Sequence, residues 1–185
     1  MRKRAENVDE TRQRIVDATV ALHGTVGPAA TTIAGIAEAA GVTRLTVYRH
    51  FPDETALVTA CSALWRSRQE LPDPEAWQRI EDSTERLRAG LADLYRYYRA
   101  GDSMLVWVYR DKDTFPDPIR QRIEAENAHF RDVLMEGLAM ADRRRLCALV
   151  GHAVSFATWR SLCIEHDLTD SEAVDAMTAL VLGSD

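Results

Sequence analysis

Residues 31–57 of the 185-residue chain read TTIAGIAEAAGVTRLTVYRHFPDETAL, and this stretch decides the fold. It contains two segments with helical spacing, about residues 32–40 and 44–50, joined by Ala40-Gly41-Val42. Gly41 can adopt the left-handed backbone conformation that ends a helix, and the small Ala37 lets two helices approach closely. Val47 then fills the space between the two helices. The spacing predicts a helix-turn-helix.

The second helix of this pair has a defined outward face. A helix turns by roughly 100° per residue, so placing Val47 inward puts Thr43 and Phe51 beside it. The outward face then consists of Leu45, Thr46, Tyr48 and Arg49. Arg44 stands at the N-terminal edge, where helices that enter the major groove concentrate their base contacts.

The exposed residue types suit contacts with DNA. Arg44 and Arg49 can donate paired hydrogen bonds to guanine, and Leu45 can contact a thymine methyl group. Phosphate oxygens accept hydrogen bonds from hydroxyl and imidazole groups. The segment supplies such groups at Thr31, Thr32, Thr46, Tyr48 and His50, and Thr43 completes the predicted DNA-binding set.

Charge is distributed in agreement with this interpretation. The chain has a net charge of −6, but residues 1–52 carry 7 basic and 5 acidic side chains, whereas residues 53–185 carry 16 and 24. The N-terminal part can therefore approach phosphate. Arg2, Lys3 and Arg4 are expected to form a flexible arm that adds charge and little specificity.

The segment resembles the DNA-binding domain of the TetR family of bacterial transcriptional regulators. Members carry a run like T-T-x-x-x-I-A-x-x-A-G-V-S-x-x-T-x-Y-x-H-F. This chain matches that run at Thr31, Thr32, Ile36, Ala37, Ala40, Gly41, Val42, Thr46, Tyr48, His50 and Phe51. Two positions depart from it, since Thr43 replaces a frequent Ser and Glu54 replaces a frequent Lys that touches phosphate. An acid at position 54 repels the DNA backbone, which favours a larger role for the basic arm.

The rest of the chain also shows helical spacing and no sustained strand alternation, so the fold class is expected to be all-α. The first helix is expected from Asp9 to about residues 24–28, and the fourth after Pro52-Asp53. Later helices are expected at 74–100, 103–112, 118–140, 142–167 and 170–183. The last of these begins with a capping box formed by Thr169 and Glu172. A helix-turn-helix domain is placed at residues 1–52, followed at 53–185 by a helical bundle for effector binding and dimerisation.

Dimerisation is predicted from the apolar character of the last two helices. Residues 142–167 are apolar on more than one face, which requires cover from both sides, and a second subunit is the simplest source of the additional cover. The resemblance implies the same arrangement, with the final helices of two subunits packed together. A homodimer through residues 142–183 would present two recognition helices to a palindromic operator in double-stranded DNA.

The resemblance also implies a pocket in the bundle for a small-molecule effector, here of apolar or aromatic chemistry. The candidate lining residues are Trp65, Tyr98, Met104, Trp107, Tyr109 and Phe130. Aromatic residues at helical spacing also fill cores, so core packing remains the alternative for each of them.

Other classes of function find little support in the sequence. Cys163, His166 and Asp167 lie too close together on one helix to orient a catalytic triad, and no phosphate loop, zinc motif or nucleophile elbow is present. No enzyme activity, cofactor, metal site or membrane segment is expected. The three cysteines are expected to be reduced thiols, and the protein to be soluble and cytoplasmic.

The leading interpretation is a ligand-responsive repressor. Two alternatives remain open: a constitutive architectural DNA-binding protein with a filled core, and a helical enzyme that has kept the helix-turn-helix.

Overall fold

The computed structural model describes residues 2–139 and 142–183, with side chains from residue 8 onward. It is all-α, and no β-strand occurs within the described residues. The chain forms two compact units, residues 1–70 with 102–121, and residues 71–101 with 122–185. The domain boundary after residue 52 was drawn from function rather than from compactness, and it stays a prediction.

Ten α-helices are found in the described residues, together with a 3₁₀ turn (Lys112–Thr114) and a π-helical turn (Ser161–Glu165). In chain order the α-helices are α1 (Arg2–His23), α2 (Ile33–Ala39), α3 (Arg44–His50), α4 (Glu54–Arg66), α5 (Pro74–Gln78), α6 (Ser83–Arg110), α7 (Asp117–Met135), α8 (Arg143–Ala153), α9 (Phe156–Arg160) and α10 (Asp170–Leu182).

The first unit is built around the N-terminal helices. Its core consists of apolar residues from α1, α2, α3 and α4 and the turns between them, namely Ile15, Val16, Ala18, Ile36, Ala37, Ala40, Val47, Phe51 and Leu57. Helix α1 begins at Arg2 rather than at Asp9, so the expectation of an N-cap at Asp9 was wrong. The expectation of a flexible arm at Arg2, Lys3 and Arg4 was also wrong, because their backbone forms the first turn of α1. The side chains of residues 2–7 lie outside the described part, so the predicted contribution of their charge to DNA binding stays a prediction.

The predicted break near Gly101 is absent, because α6 continues through it to Arg110. One glycine within a helix costs only about 1 kcal/mol, and buried residues such as Tyr98 and Met104 lie on either side of it. The break lies earlier, between α5 and α6. There the buried Arg86 guanidinium donates to the Ile80 carbonyl at 2.8 and 3.0 Å, and Asp82 caps α6 through the Glu85 amide.

The second unit contains a further interruption that the sequence pattern did not indicate. The helix expected over residues 142–167 ends at Ala153, restarts as α9 with Ser155 as its N-cap, and then widens into the π-helical turn. The Tyr95 hydroxyl donates to the Ala153 carbonyl at 2.9 Å, and the Tyr98 hydroxyl donates to the Val154 carbonyl at 2.7 Å. Two buried tyrosines therefore satisfy the carbonyls that the break would leave without partners.

Two other helix ends follow simple rules. Helix α7 stops at Met135, before Gly137 with a φ of 77°, rather than continuing to residue 140. Helix α10 starts with the predicted capping box, since the Thr169 hydroxyl accepts from the Glu172 amide at 3.2 Å and the Glu172 carboxylate accepts from the Thr169 amide at 2.8 Å.

Candidate nucleic-acid interface

The turn between α2 and α3 has the hydrogen bonds of a Schellman motif. Gly41 adopts a φ of 64°, its amide donates to the Glu38 carbonyl at 3.0 Å, and the Val42 amide donates to the Ala37 carbonyl at 2.9 Å. This pair of bonds satisfies carbonyls at the end of α2 and turns the chain sharply. The predicted function of Gly41 in the turn is confirmed.

Helix α3 is fixed by its inward residues. Val47 and Phe51 are 1% and 3% exposed and pack with Ile36 and Ala37 of α2. The guanidinium of Arg12 on α1 lies 4.8 Å from the centre of the Phe51 ring, at a distance suited to a cation–π contact. Arg12 was not among the predicted residues, since only the tertiary structure brings it to α3.

Helices α2, α3 and α4 each begin with a side-chain cap. Thr32 accepts from the Gly35 amide at 3.0 Å, Thr43 accepts from the Thr46 amide at 3.2 Å, and Asp53 accepts from the Ala56 amide at 2.7 Å. Such caps satisfy amides that lack a partner within the helix. They fix the start of α3 at Arg44, so that the predicted outward face has a definite direction.

The predicted face of α3 is exposed to solvent. Leu45 and Tyr48 are 77% and 54% exposed, and Arg44 and Arg49 are also exposed. Thr46 and His50 are half-buried at the edges. Large apolar side chains that lie exposed next to one another often mark a surface that a partner covers. The exposed face of α3 therefore combines two large side chains, Leu45 and Tyr48, with two arginines.

The threonine hydroxyls of this region differ in whether their hydrogen is already used in a hydrogen bond within the chain. The Thr31 hydroxyl donates to the Gly27 carbonyl at 2.8 Å, so its hydrogen is already used within the chain. The hydroxyl oxygens of Thr43 and Thr46 lie 2.9 Å apart and share one hydrogen bond. Thr32 is exposed and acts only as an acceptor in its cap. Thr32 is thus the better phosphate donor of the two N-terminal threonines, and both contacts stay predictions.

A buried carboxylate anchors the loop that leads into α2. Asp111 accepts from the Ala29 amide at 2.9 Å and from the Arg110 guanidinium at 2.6 and 2.8 Å. These hydrogen bonds hold the pKa of the Asp111 carboxyl below its usual value, and the hydrogen bond from Arg110 has the largest effect. Gly27, with a φ of 88°, lies so close to Arg110 and Asp111 that a side chain would collide with them. No local signal in the sequence pointed to Asp111.

A buried histidine lies in the same unit. His23 is 6% exposed, and its ring nitrogen Nδ1 lies 3.6 Å from the Cys61 Sγ atom. Burial lowers the pKa of His23 to about 4, although the charge of Asp111 acts in the opposite direction. Burial also raises the pKa of the Cys61 thiol to about 12. His23 is therefore neutral near pH 7 and Cys61 is a protonated thiol.

The six side chains predicted to line an effector pocket are divided between the two units. Trp65, Met104, Trp107 and Tyr109 belong to the first unit. Tyr98 and Phe130 belong to the second, where Tyr98 is 1% exposed and Phe130 packs against Trp77 with ring centres 5.6 Å apart. Neither unit by itself brings the six together, and their role in binding stays a prediction.

Residues 15–61, which include the helix-turn-helix, match the family described as bacterial regulatory proteins, tetR family. The family match covers 47 of the 185 residues, about a quarter of the chain, at its N-terminal end. It is 41% identical over 64 residues to the HTH-type transcriptional regulator AcrR of Shigella flexneri, which is 35% of this chain and 28% of AcrR. It is 43% identical over 60 residues to TtgR of Pseudomonas putida, which is 32% of this chain and 29% of TtgR. These relatives are transcriptional regulators rather than enzymes.

Solved structures of low sequence identity share the fold over nearly the whole chain. PfmR, a TetR family transcriptional regulator from Thermus thermophilus, aligns with a TM-score of 0.66 at 18% identity, covering 92% of this chain and 97% of PfmR. AibR, in a complex with isovaleryl coenzyme A and operator DNA, aligns with a TM-score of 0.65 at 18% identity, covering 93% of this chain and 98% of AibR. The likeness of fold therefore extends beyond the matched N-terminal segment.

Neither a metal-binding cluster nor a single membrane-spanning helix is found among the described residues. Among the described residues, no group of three or more His, Cys, Asp or Glu side chains is arranged to hold a metal ion. No single helix of the described chain is long and apolar enough to cross a membrane, and the one pair that reaches the length together, Arg143–Ala153 with Phe156–Glu165, is bent by 53°.

Proposed function

We propose that the protein is a homodimeric, ligand-responsive repressor that reads a palindromic operator through α3. The observation that carries the proposal is the outward face of α3, where Leu45 and Tyr48 are exposed beside Arg44 and Arg49 on a helix held by caps and a buried core. In the major groove, Leu45 would contact a thymine methyl group, and the two arginines would bind guanine edges. Tyr48 and Thr32 would bind phosphates and fix the position of the helix.

The DNA contact is tested with the full chain and a pool of random 30-base-pair duplexes, from which bound sequences are enriched. We expect a single enriched sequence with two-fold symmetry, whose two half-sites lie about one helical turn apart. Arg44→Ala should weaken binding to it by about tenfold or more. The matched control is Arg79→Ala, which removes one exposed arginine outside α3 and outside residues 142–183. Equal affinity of the two variants would contradict the assignment of α3.

Dimerisation is supported by apolar side chains that remain exposed near the C-terminus of the chain. Ile164, Leu180 and Leu182 are 37%, 40% and 39% exposed. Small residues also lie exposed within residues 142–183, at Ala148 in α8, Ala157 in α9, and Ala176 and Ala179 in α10. Small side chains allow helices of two subunits to approach closely, and the exposed leucines would add apolar area to that contact.

Sedimentation tests the dimer directly. The wild-type chain should sediment as a dimer at micromolar concentration, and Leu180→Glu should shift it toward the monomer because a carboxylate would then be buried in the interface. Leu71→Glu is the matched control, since Leu71 is 37% exposed and lies outside residues 142–183. A wild-type monomer, or a dimer unaffected by Leu180→Glu, would refute this interface.

An effector can regulate DNA binding only by binding one state of the dimer more tightly than the other. The complex of AibR with isovaleryl coenzyme A shows a protein of this fold with a bound small molecule and operator DNA. We therefore propose an apolar or aromatic effector for this chain as well. The test is a thermal-shift screen of apolar acids, acyl thioesters and aromatic compounds, followed by DNA titration. A hit should raise the melting temperature and weaken operator binding.

A constitutive DNA-binding protein is the second candidate, and the packing of Tyr98 favours it. Tyr98 contacts the rings of Tyr95, Tyr97, Phe156 and Trp159, and its hydroxyl is bonded to Val154. This predicted ligand contact therefore fills the core of its own unit. Operator affinity that no compound in the screen changes would support the constitutive function.

A further inference from the structure

A cleft of about 300 Å³ lies in the first unit, beneath the helix proposed to read DNA. Its walls include the aromatic rings of Tyr48, Phe51 and Phe115, together with His23, Asp53 and Glu54. The cleft is distinct from the predicted effector pocket, because none of the six residues assigned to that pocket lines it. Its volume is at the lower end of the range found for small-molecule sites.

The charged residues that line the cleft are acidic, and the nearby Arg12 guanidinium lies over the Phe51 ring without lining the cleft. Its lining residues include two carboxylates, Asp53 and Glu54, and no Lys or Arg. Both acids are exposed at the start of α4, where Asp53 also caps the helix. Aromatic faces and carboxylates together attract a cation, because the ring quadrupole and the carboxylate each favour positive charge.

A buried histidine forms part of the cleft wall. His23 lines the cleft and is 6% exposed. Its one hydrogen-bond contact among the described residues is the Cys61 thiol on the Nδ1 atom. The pKa of about 4 keeps this ring uncharged near pH 7, so that it does not repel a cation.

We propose that this cleft binds a small organic cation, an amine carried on an apolar ring, with the ring against Tyr48 and Phe115 and the ammonium group directed to Glu54 and Asp53. This assignment gives a role to Glu54, the acid that is unfavourable for contact with a DNA backbone. Tyr48 is shared by the cleft and by the outward face of α3. A ligand in the cleft would therefore contact Tyr48, a residue of the surface proposed to contact DNA.

The probes are three molecules with one shape and different charge: 2-phenylethylamine, 2-phenylethanol and 3-phenylpropanoate. Each is titrated into the ¹⁵N-labelled full chain and followed by NMR. The amine should shift the amide signals of residues 48–58 and 114–115, and it should bind about threefold more tightly than the alcohol, the gain expected for an exposed ion pair. The carboxylate should bind more weakly than the alcohol. The preference for the amine should shrink as salt is raised.

Two variants separate this site from nonspecific attraction to an acidic protein. Glu54→Gln should reduce the affinity for the amine about threefold and leave the affinity for the alcohol unchanged. Glu38→Gln is the matched control, because Glu38 is an exposed acid of the same unit that does not line the cleft. The double variant Asp53→Asn/Glu54→Gln retains a side-chain oxygen to cap α4 and should remove the preference for the amine.

Three results would overturn the proposal. They are equal binding of the amine and the alcohol, an equal loss in Glu54→Gln and Glu38→Gln, and signal shifts that lie outside the cleft. The experiment uses no DNA, so its failure leaves the proposed reading of DNA by α3 untouched.

Discussion

Two interruptions between consecutive helices, the α2–α3 turn and the α8–α9 break, are stabilised by hydrogen bonds of different range. At the first, the Gly41 and Val42 amides bond to carbonyls three and five residues earlier. At the second, the Ala153 and Val154 carbonyls accept from Tyr95 and Tyr98, which lie 58 and 56 residues away in the sequence. The helix-turn-helix thus has a locally determined geometry, whereas the second unit takes its shape from its core.

This contrast has a consequence for function. A locally stabilised turn can keep α3 in position while other parts of the protein change. A break that depends on buried rings responds to any change in the packing of those rings, because cores have few alternative arrangements. The second unit is therefore the more suitable place for a conformational response, and the turn is the more suitable place for a rigid reading surface.

The largest expected effect concerns the aromatic core of the second unit. Trp159 is fully buried and contacts the rings of Tyr98 and Phe156. Trp159→Ala should reduce the free energy of unfolding by about 4 kcal/mol, measured by urea denaturation and circular dichroism. Amide NMR signals of residues 33–50 should remain in place if the turn is locally determined. Displaced signals there would contradict the contrast between the two regions.

The next largest effect concerns the buried His23 of the first unit and its lowered pKa. The pKa of His23 is about 4 in the folded chain, whereas an unperturbed histidine has a pKa of 6.5. The unfolded chain therefore binds more protons between these values, and stability should fall as the pH is lowered from about 6.5 to 4. The full loss is about 3 kcal/mol, from about 1.4 kcal/mol for each pH unit.

The control for this pH dependence is His23→Gln, whose side chain does not titrate. The slope of unfolding free energy against pH should decrease in this variant over the same window, whatever its stability at pH 7. A variant with the wild-type slope would show that other groups cause the acid sensitivity.

A smaller effect is expected from one hydroxyl at the α8–α9 break. Tyr98→Phe leaves the Val154 carbonyl without its donor and should cost about 2 kcal/mol. Tyr48→Phe is the matched control, since Tyr48 is 54% exposed, and its cost should stay within about 0.5 kcal/mol. Similar costs for both variants would mean that the remote bond does not hold the break.

The smallest effect concerns two glycines, Gly35 within α2 and Gly41 just after it. Gly41→Ala should destabilise the chain by about 1 kcal/mol, because a φ of 64° is unfavourable for a residue with a Cβ atom. Gly35→Ala should be neutral or stabilising, since Gly35 is not among the residues with positive φ and its nearest neighbour, the Thr32 hydroxyl, lies 3.4 Å from an added Cβ. A reversed order in thermal melting would show that the turn tolerates a side chain at position 41.

Sequence reasoning succeeded where the deciding atoms are close together along the chain. The bounds of α3, the turn at Gly41 and the capping box of α10 were predicted, because each depends on residues within about one helical turn. The outward face of α3 followed from the inward position of Val47. Its role in DNA binding is still a prediction.

The failures share an opposite cause. The continuity of α6 through Gly101 and the break after Ala153 depend on burial and on hydrogen bonds from distant residues. The anchoring of the Ala29 loop by Asp111 spans 82 residues. No periodicity in a short window contains these contacts.

The amino-acid sequence by itself determined the all-α class, helix α3 and its outward residues, because helical periodicity, caps and a glycine turn act over a few residues. The tertiary structure alone decided where the long helices break, which aromatic rings fill the second unit, and that Tyr48 and Glu54 share a cleft with His23. Those features arise when distant segments are buried together, since only then do their carbonyls, rings and charges meet.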